Sequence, residues 1–320
     1  MADTPLKIDT HQHIFPPHIK RLIEGTALAQ GFQGPEWSPE ATLDFMSRNH
    51  IGTSILSCAI PLTVFNKSAE ETAALAREIN TYMATFRNEH ASKIGFFAVL
   101  PSLEDISTCI EEIRYAMQTL GADGISLFTS YNDKYLGHPD FELIWAEMDV
   151  LNAVVFVHPT MEGMEKSIKE PFLIPRALID WPHETTRTAI HLVMTNTLRK
   201  YPGCKIILSH GGGTLPFIAA RTSQIPIQAK LSGKAPEQFM EDIRSFWFDT
   251  ALMGDDVAPL KLLLEFAPKG RVLYGSDYPF VREAAVVSKI ETMDGIVDGE
   301  RELALVTREA ALELFPRFSD

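Results

Sequence analysis

The chain has 320 residues, of which 45% are hydrophobic and 22% charged, a composition that is ordinary for a soluble globular protein. Its formal net charge of −13, from 29 Lys and Arg against 42 Asp and Glu, argues against nucleic acid or an anionic membrane as a partner. A chain of this length can bury a large core, so any bound metal is expected to serve function rather than folding.

Eight short apolar segments are typical of strands that are buried on both faces, as in a parallel sheet. They span residues 6–10, 51–58, 94–100, 124–128, 153–157, 205–208, 245–249 and 271–274. Apolar residues recur at helical spacing in residues 38–49, 68–90, 102–120, 139–150, 183–200, 215–229, 257–266, 282–293 and 300–314.

This alternation predicts an α/β fold, a (β/α)8 TIM barrel that residues 1–320 form as one domain. A doubly wound open sheet is the alternative. The long connections 11–37, 129–138 and 159–182 follow predicted strands 1, 4 and 5. We therefore expect them over the carboxyl-terminal face, where active sites of barrels lie, with 159–182 as a possible lid.

The three cysteines, Cys58, Cys109 and Cys204, are far apart and include no C-x-x-C pair, which favours buried free thiols in a reducing compartment. The first residues show no basic stretch followed by an apolar one, and no apolar run approaches the ~18 residues of a membrane span. We therefore expect a cytoplasmic protein.

Two histidines, His11 and His13, stand at the end of the first predicted strand. On an extended chain, residues two apart point the same way, and imidazole is a common ligand of divalent metals. The fifth, sixth and eighth predicted strands end in the same manner, at His158, His210 and Asp277. Because barrel closure brings these strand ends around one mouth, we predict that they form a metal-dependent site.

Longer motifs around these residues resemble the amidohydrolase superfamily, and within it the metal-dependent decarboxylase branch. They are KIILSHGGGTLPF at 205–217, YGSDYPF at 274–280 and ETTR at 184–187. The branch includes aminocarboxymuconate semialdehyde, γ-resorcylate and 5-carboxyvanillate decarboxylases. The opening IDTHQHIFPP at 8–17 looks most like the fungal 6-methylsalicylate decarboxylases, and the resemblance extends from strand 1 to strand 8.

The resemblance implies one divalent metal ion with four ligands: His11, His13, His158 and Asp277. It places His210 beside the metal, where it handles protons or orients water. The fourth predicted strand ends at Leu127-Phe128 and offers no lysine for the bridging carbamate of dinuclear relatives, so a single ion is expected. Three histidines and a carboxylate favour Zn²⁺ but also tolerate Mn²⁺.

The activity that the resemblance implies is non-oxidative decarboxylation of a hydroxybenzoate-type acid, with 6-methylsalicylate going to 3-methylphenol and CO2. We expect Asp277 to deliver the proton to the ring and His210 to assist it, although the reverse assignment stays open. A homodimer serving secondary metabolism is the further expectation.

Four side chains are candidates for binding this substrate. Arg48 and Arg187 could bind its carboxylate, with a surface salt bridge as the alternative for either. Trp181 and Phe280 could flank its ring, with core packing as the alternative.

Other functions fit the same ligand set. A mononuclear hydrolase acting on a lactone or amide would use the metal to activate water, and a hydratase of a dicarboxylate is also conceivable. A non-catalytic binding protein would not need all four ligand types. Release of CO2, as against uptake of solvent oxygen into product, separates the decarboxylase from the hydrolase.

Overall fold

The computed structural model describes residues 6–24, 34–160, 168, 170–172, 174–229, 231, 234–253, 256–297 and 299–319. The strands are β1 (Lys7–His13), β2 (Ile51–Ser57), β3 (Ile94–Val99), β4 (Gly124–Phe128), β5 (Ser130–Tyr131), β6 (Lys134–Tyr135), β7 (Val154–His158), β8 (Lys205–Leu208), β9 (Trp247–Asp249) and β10 (Val272–Leu273). Strands β5 and β6 form a separate antiparallel hairpin.

The other eight strands form one sheet in the order β1-β2-β3-β4-β7-β8-β9-β10, and every neighbouring pair is parallel. The sheet closes between its first strand and the residues after its last. The Thr10 N–H donates to the Tyr274 carbonyl at 2.9 Å, and the Asp277 N–H donates to the His11 carbonyl at 2.8 Å. The predicted barrel is therefore confirmed, and the open-sheet alternative is wrong.

The helices are α1 (Pro17–Glu24), α2 (Pro39–Arg48), α3 (Ala69–Glu89), α4 (Ile106–Arg114), α5 (Glu142–Val150), α6 (Arg176–Met194), α7 (Thr197–Lys200), α8 (Leu215–Gln228), α9 (Pro236–Arg244), α10 (Val257–Phe266), α11 (Glu283–Ile296), α12 (Glu300–Ala304) and α13 (Ala310–Leu314). π-Helical turns at Tyr115–Leu120 and Leu305–Glu309 extend α4 and join α12 to α13.

Local capping explains where several helices begin. The Ser38 hydroxyl accepts the Ala41 N–H at 3.1 Å at the start of α2. Ser68 and Glu71 form a reciprocal capping box at the start of α3. Such caps satisfy backbone N–H groups that have no partner within the helix.

Two of the predicted connections differ from the structure in their extent. Strand β1 continues through His13, and α1 occupies part of the connection 11–37, whose residues 25–33 lie outside the described part. Helix α6 begins at Arg176 and includes Pro182, although an interior proline removes a helical hydrogen bond and disfavours a helix. Residues 161–167, 169 and 173, on which the lid prediction falls, also lie outside the described residues.

Apolar side chains fill the barrel interior, and a segment from the end of the sequence seals its lower end. Phe97 and Phe156 stack inside the barrel with ring centroids 5.1 Å apart, and the Phe315 ring packs against Phe97 at 5.8 Å. The Arg317 guanidinium donates to the Ile94 carbonyl at 3.0 Å, where β3 begins. Residues 310–318, hereafter the closing segment, therefore lie across the amino-terminal ends of the strands.

Candidate metal centre at the barrel mouth

The structure brings the five predicted strand-end residues together at the carboxyl-terminal mouth of the barrel. They are at most 7% exposed: His11 and His13 on β1, His158 at the end of β7, His210 after β8 and Asp277 after β10. Barrel closure places them around one point although as many as 266 positions, from 11 to 277, separate them in sequence.

Their donor atoms face one another at distances that suit a shared cation. The His11 and His13 Nε2 atoms lie 3.0 Å apart, and Asp277 Oδ1 lies 3.1 Å from His13 Nε2 and 3.5 Å from His11 Nε2. Ligand atoms of His11, His158 and His210 also all lie within 4.8 Å of one another. Two nitrogens held at about 2.0–2.1 Å from one ion lie about 2.8–3.4 Å apart at angles of about 90–109°.

The other ring nitrogen of each predicted histidine ligand is held by the protein. His11 Nδ1 lies 2.8 Å from Asp249 Oδ2, and His158 Nδ1 lies 2.9 Å from the Pro159 carbonyl oxygen. These contacts direct the Nε2 atoms toward the cluster and fix the tautomer that can ligate.

Ser57 does the same for His13. Its Oγ lies 2.8 Å from His13 Nδ1 and 3.3 Å from the Gln12 carbonyl oxygen. The hydroxyl can therefore accept from the imidazole N–H while it donates to the carbonyl, which again leaves Nε2 free to ligate.

His210 and Asp277 differ from the other three because both have left-handed backbones, with φ of 56° and 61°. This conformation is unfavourable for residues with a Cβ and often occurs at functional sites. His210 Nε2 lies 3.7 Å from Asp277 Oδ2, and it is a buried atom with no hydrogen bond in the described structure.

The three glycines after His210 make room for the protein itself. At Gly213, where φ is 67°, an added Cβ would lie 1.9 Å from the Pro182 carbonyl oxygen of α6. At Gly212 it would lie 2.9 Å from the Phe248 ring. The glycines therefore allow α6 and β9 to approach the His210 turn closely.

The electrostatics of the cluster stabilise positive charge at His11, keep His158 neutral and keep Asp277 ionised. Burial lowers the pKa of His11, but the Asp249 and Asp277 carboxylates outweigh burial and raise this pKa to about 10. Burial and the neighbouring histidines hold the pKa of His158 well below its ordinary value. Burial raises the pKa of Asp277, but the neighbouring His11, His13 and His210 side chains prevail and hold this pKa well below its usual range.

A divalent ion fits this donor set. His158 is held neutral and Asp277 ionised, which are the forms that ligate metals. Positive charge is stabilised between Asp249 and Asp277, where His11 retains its proton. An ion bound by Asp277 and by His11 Nε2 would supply that charge in place of the Nε2 proton.

The predicted ring-binding residues lie beside the cluster. The Phe280 ring meets His13 edge-on with centroids 5.3 Å apart, and the Trp181 ring of α6 meets His158 with centroids 5.7 Å apart. Trp181 Nε1 is buried without a hydrogen-bond partner in the described residues. Each of the two aromatic side chains thus contacts a different histidine of the cluster.

The two predicted arginines are engaged elsewhere and are more than half exposed. Arg48 donates from Nε and Nη2 to the Glu283 carboxylate, both at 2.9 Å. Arg187 pairs with Glu184 one turn away on α6, and the Tyr135 hydroxyl donates to the same carboxylate at 2.9 Å. Both arginines therefore form salt bridges in this structure, which is the alternative to carboxylate binding that the sequence analysis named.

Sequence reasoning did not single out Ser57, and from its place at the end of the seventh predicted strand Asp249 could either support a metal ligand or cap the following helix. Both residues end strands of the barrel, β2 and β9. The same strand-end register that identified the histidines could therefore have found them. The Asp249 carboxylate contacts His11 across 238 residues of sequence, so only the closed barrel reveals its partner.

Comparison with known proteins places the chain among decarboxylases. Residues 8–317 match the family described as Amidohydrolase. The chain is 42% identical to decarboxylase yanB of Aspergillus niger in an alignment of 324 residues that covers 98% of this chain and 88% of that protein. It is 39% identical to a 6-methylsalicylic acid decarboxylase of Penicillium expansum in an alignment of 315 residues that covers 97% of this chain and 96% of that protein.

Solved structures share the fold along nearly the whole chain. A crystal structure of an amidohydrolase II matches with a TM-score of 0.86 and 25% identity, covering 97% of this chain and 99% of that one. A dihydroxybenzoic acid decarboxylase from Polaromonas, solved with manganese and 2-nitroresorcinol, matches with a TM-score of 0.77 and 20% identity over 97% of each chain. No helix in the described ranges has the length and apolar character that a bilayer span requires.

Proposed function

The chain belongs to the amidohydrolase family, and we propose that it is a metal-dependent carboxy-lyase that removes CO2 from a hydroxybenzoate-type acid. The proposed reaction converts 6-methylsalicylate to 3-methylphenol and CO2. The observation that carries the proposal is the buried cluster of histidines and Asp277 at the barrel mouth, in a chain whose relatives at 39–42% identity are named decarboxylases.

His11, His13, His158 and Asp277 are the proposed ligands of one divalent ion. Zn²⁺ is favoured by the three imidazoles, and Mn²⁺ is supported by the manganese in the dihydroxybenzoic acid decarboxylase structure. A bound ion would orient the substrate carboxylate with its ortho hydroxyl and stabilise the oxygen that gains electron density.

The chain's own residues then have to place a proton on the ring. Protonation at the carbon that bears the carboxylate is followed by breakage of the C–C bond, and the electron pair of that bond restores the aromatic ring as CO2 leaves. We assign proton delivery to Asp277, which must first receive a proton because the site holds its carboxylate ionised. His210 Nε2 lies 3.7 Å from Asp277 Oδ2, so this imidazole is placed to restore the proton.

Trp181 and Phe280 are the proposed walls for the aromatic ring. Their edge contacts to His158 and His13 place apolar surface beside the proposed ligands, and the unpartnered Trp181 Nε1 offers a donor to a substrate oxygen. The assignment of Arg48 or Arg187 to the substrate carboxylate stays a prediction, because each arginine would first have to leave its glutamate partner.

The proposed oligomeric state is a homodimer. Large apolar side chains are exposed on α6 and α8, with Leu178 at 69% and Phe217 at 80%, and a subunit interface over these helices would remove them from water. Light scattering coupled to size-exclusion chromatography tests this state directly.

The decisive experiment combines metal analysis with a CO2 assay. The purified protein is analysed by inductively coupled plasma mass spectrometry and then incubated with a panel of salicylates, including 6-methylsalicylate. We expect one divalent ion per chain and CO2 release matched by phenol formation. Incorporation of ¹⁸O from labelled water into product without CO2 would favour the hydrolase alternative and overturn the proposal.

A further inference from the structure

We infer that Asp249 is a positioning residue that holds both sides of the candidate site, the His11 ligand and the His210 turn, through one carboxylate. The inference rests on the proposed function for its kinetic part only. Asp249 is fully buried at the end of β9. Its Oδ2 lies 2.8 Å from His11 Nδ1, and its Oδ1 accepts the backbone N–H groups of His210 at 3.0 Å and Ala251 at 2.9 Å.

The arrangement requires a carboxylate rather than any side chain of that shape. For His11 to ligate through Nε2, its Nδ1 must carry the hydrogen. Asp249 therefore receives N–H donors on both oxygens, one from an imidazole and two from the backbone. An amide offers only one oxygen, so its NH2 group would face either the His11 N–H or the two backbone N–H groups.

The contact to the His210 backbone bears on a strained turn. His210 has φ of 56°, a conformation that a residue with a Cβ keeps only when its surroundings hold it. The Asp249 carboxylate holds the N–H of His210, and the Gly213 N–H holds its carbonyl at 2.9 Å. Loss of the Asp249 contact would let the turn relax and move Nε2 relative to Asp277.

Asp9 supplies a matched control because its carboxylate is as fully buried as that of Asp249 and it lies on β1 close to the same cluster. Its Oδ1 accepts the N–H groups of His11 at 3.1 Å and Ser276 at 3.0 Å, and its Oδ2 accepts from Gln12 Nε2 at 3.0 Å. Gln12 Oε1 has no hydrogen-bond partner among the described residues. In Asp9→Asn, the amide oxygen can keep both backbone N–H groups, and Gln12 can turn over so that its Oε1 accepts from the new NH2 group. The contacts of Asp9 to His11 and Ser276 are to backbone N–H groups, so the substitution removes no contact to an imidazole of the cluster.

The experiment compares wild type, Asp249→Asn and Asp9→Asn for metal affinity, by chelator competition, and for amide exchange of peptides covering residues 209–213, by mass spectrometry. Neither measurement needs catalysis. We expect Asp249→Asn to weaken metal binding about 10- to 100-fold and to speed exchange in this turn, with Asp9→Asn close to wild type in both. Wild-type values for Asp249→Asn, or equal losses in Asp9→Asn, would overturn the inference.

Kinetics at saturating metal test the His210 part. Asp249→Asn should lower kcat with little change in KM, and it should lower kcat much less when introduced into His210→Ala, because residues that act through one another are not additive. Full additivity would overturn this part. If wild type releases no CO2, the proposed function fails, while metal affinity and amide exchange still decide the inference.

A second variant, which keeps both acceptor oxygens, keeps the test informative if Asp249→Asn does not fold. Circular dichroism first establishes whether Asp249→Asn folds. Asp249→Glu should retain more of the metal affinity than Asp249→Asn, or should bind metal where the asparagine variant does not fold. A folded Asp249→Glu variant that binds metal no better than Asp249→Asn, or not at all, would contradict the need for two acceptor oxygens.

Discussion

At the carboxyl-terminal end of the barrel, buried polar side chains converge and two of them, His210 and Asp277, have left-handed backbones. At the amino-terminal end, by contrast, Phe315 and Phe318 of the closing segment pack against the apolar interior. The first end concentrates charge and strain, which are costly for folding, and the second removes apolar surface from water, which favours folding. Changes at the mouth should therefore alter chemistry, and changes at the closing segment should alter stability.

The largest effect is expected from removal of a proposed ligand. Asp277→Ala deletes the carboxylate that lies 3.1 Å from His13 Nε2, so metal retention and turnover should both be lost, and His158→Ala should behave alike. Mass spectrometry of the dialysed protein and the CO2 assay measure the two properties. A fully active, metal-free variant would end the assignment of these residues as ligands.

His210→Ala should separate metal binding from the rate. The variant is expected to keep its ion but to lose about 10²–10⁴-fold in kcat, the usual contribution of a positioned acid or base. Metal content and kcat are measured on the same sample. Release of the ion in this variant would instead make His210 a ligand, as its distance to His11 and His158 permits.

Phe315→Ala tests the opposite end of the barrel. Removing a ring that is 2% exposed should lower the free energy of unfolding by about 3–5 kcal/mol, as measured by urea denaturation with metal present. The metal stoichiometry and kcat of the folded fraction should match wild type. A lowered kcat without loss of stability would break the division between the two ends.

Ser57→Ala should have a smaller effect, confined to the mouth. It removes the oxygen that holds His13 Nδ1 at 2.8 Å, and loss of such a partner typically costs about 10–100-fold in metal affinity or activity. Chelator competition gives the affinity. Unchanged affinity would mean that the β1 backbone alone orients His13.

Arg48→Ala is expected to change least. The guanidinium is 55% exposed and pairs with Glu283, and such surface pairs contribute little to stability. We expect KM and the unfolding midpoint to stay at wild-type values. A clear rise in KM for the aromatic acid, with kcat retained, would show that Arg48 leaves Glu283 to bind the carboxylate.

The barrel and the strand-end residues could be predicted because their signals are local. Each strand is a short apolar run, and His158 or Asp277 directly follows one. The parallel sheet then places all such ends at one mouth. The predicted helix 183–200 begins seven residues after the start of α6 at Arg176 and runs on through α7. Its start is displaced because Pro182 resembles a helix start when only neighbouring residues are considered.

The supporting contacts could not be predicted because they join distant positions. Asp249 meets His11, and Arg48 meets Glu283 across 235 residues, so each pairing depends on the finished fold. Helix α9 was also missed, although Pro236 after Ala235 and a basic Arg244 in the last turn are ordinary boundary signals. No strand is predicted between the helix at 215–229 and residues 236–244, so the alternation of strands and helices did not call for a helix there.

The position of the closing segment also bears on how the chain is made. Ile8 and Ala310 lie in the same interior cluster, yet 302 residues separate them, from 8 to 310. At a synthesis rate of about 5–20 residues per second, roughly 15–60 s pass between them. During that time the nascent barrel lacks both the closing segment and the contacts between β1 and the residues after β10, so its apolar interior stays exposed until those residues have been synthesised.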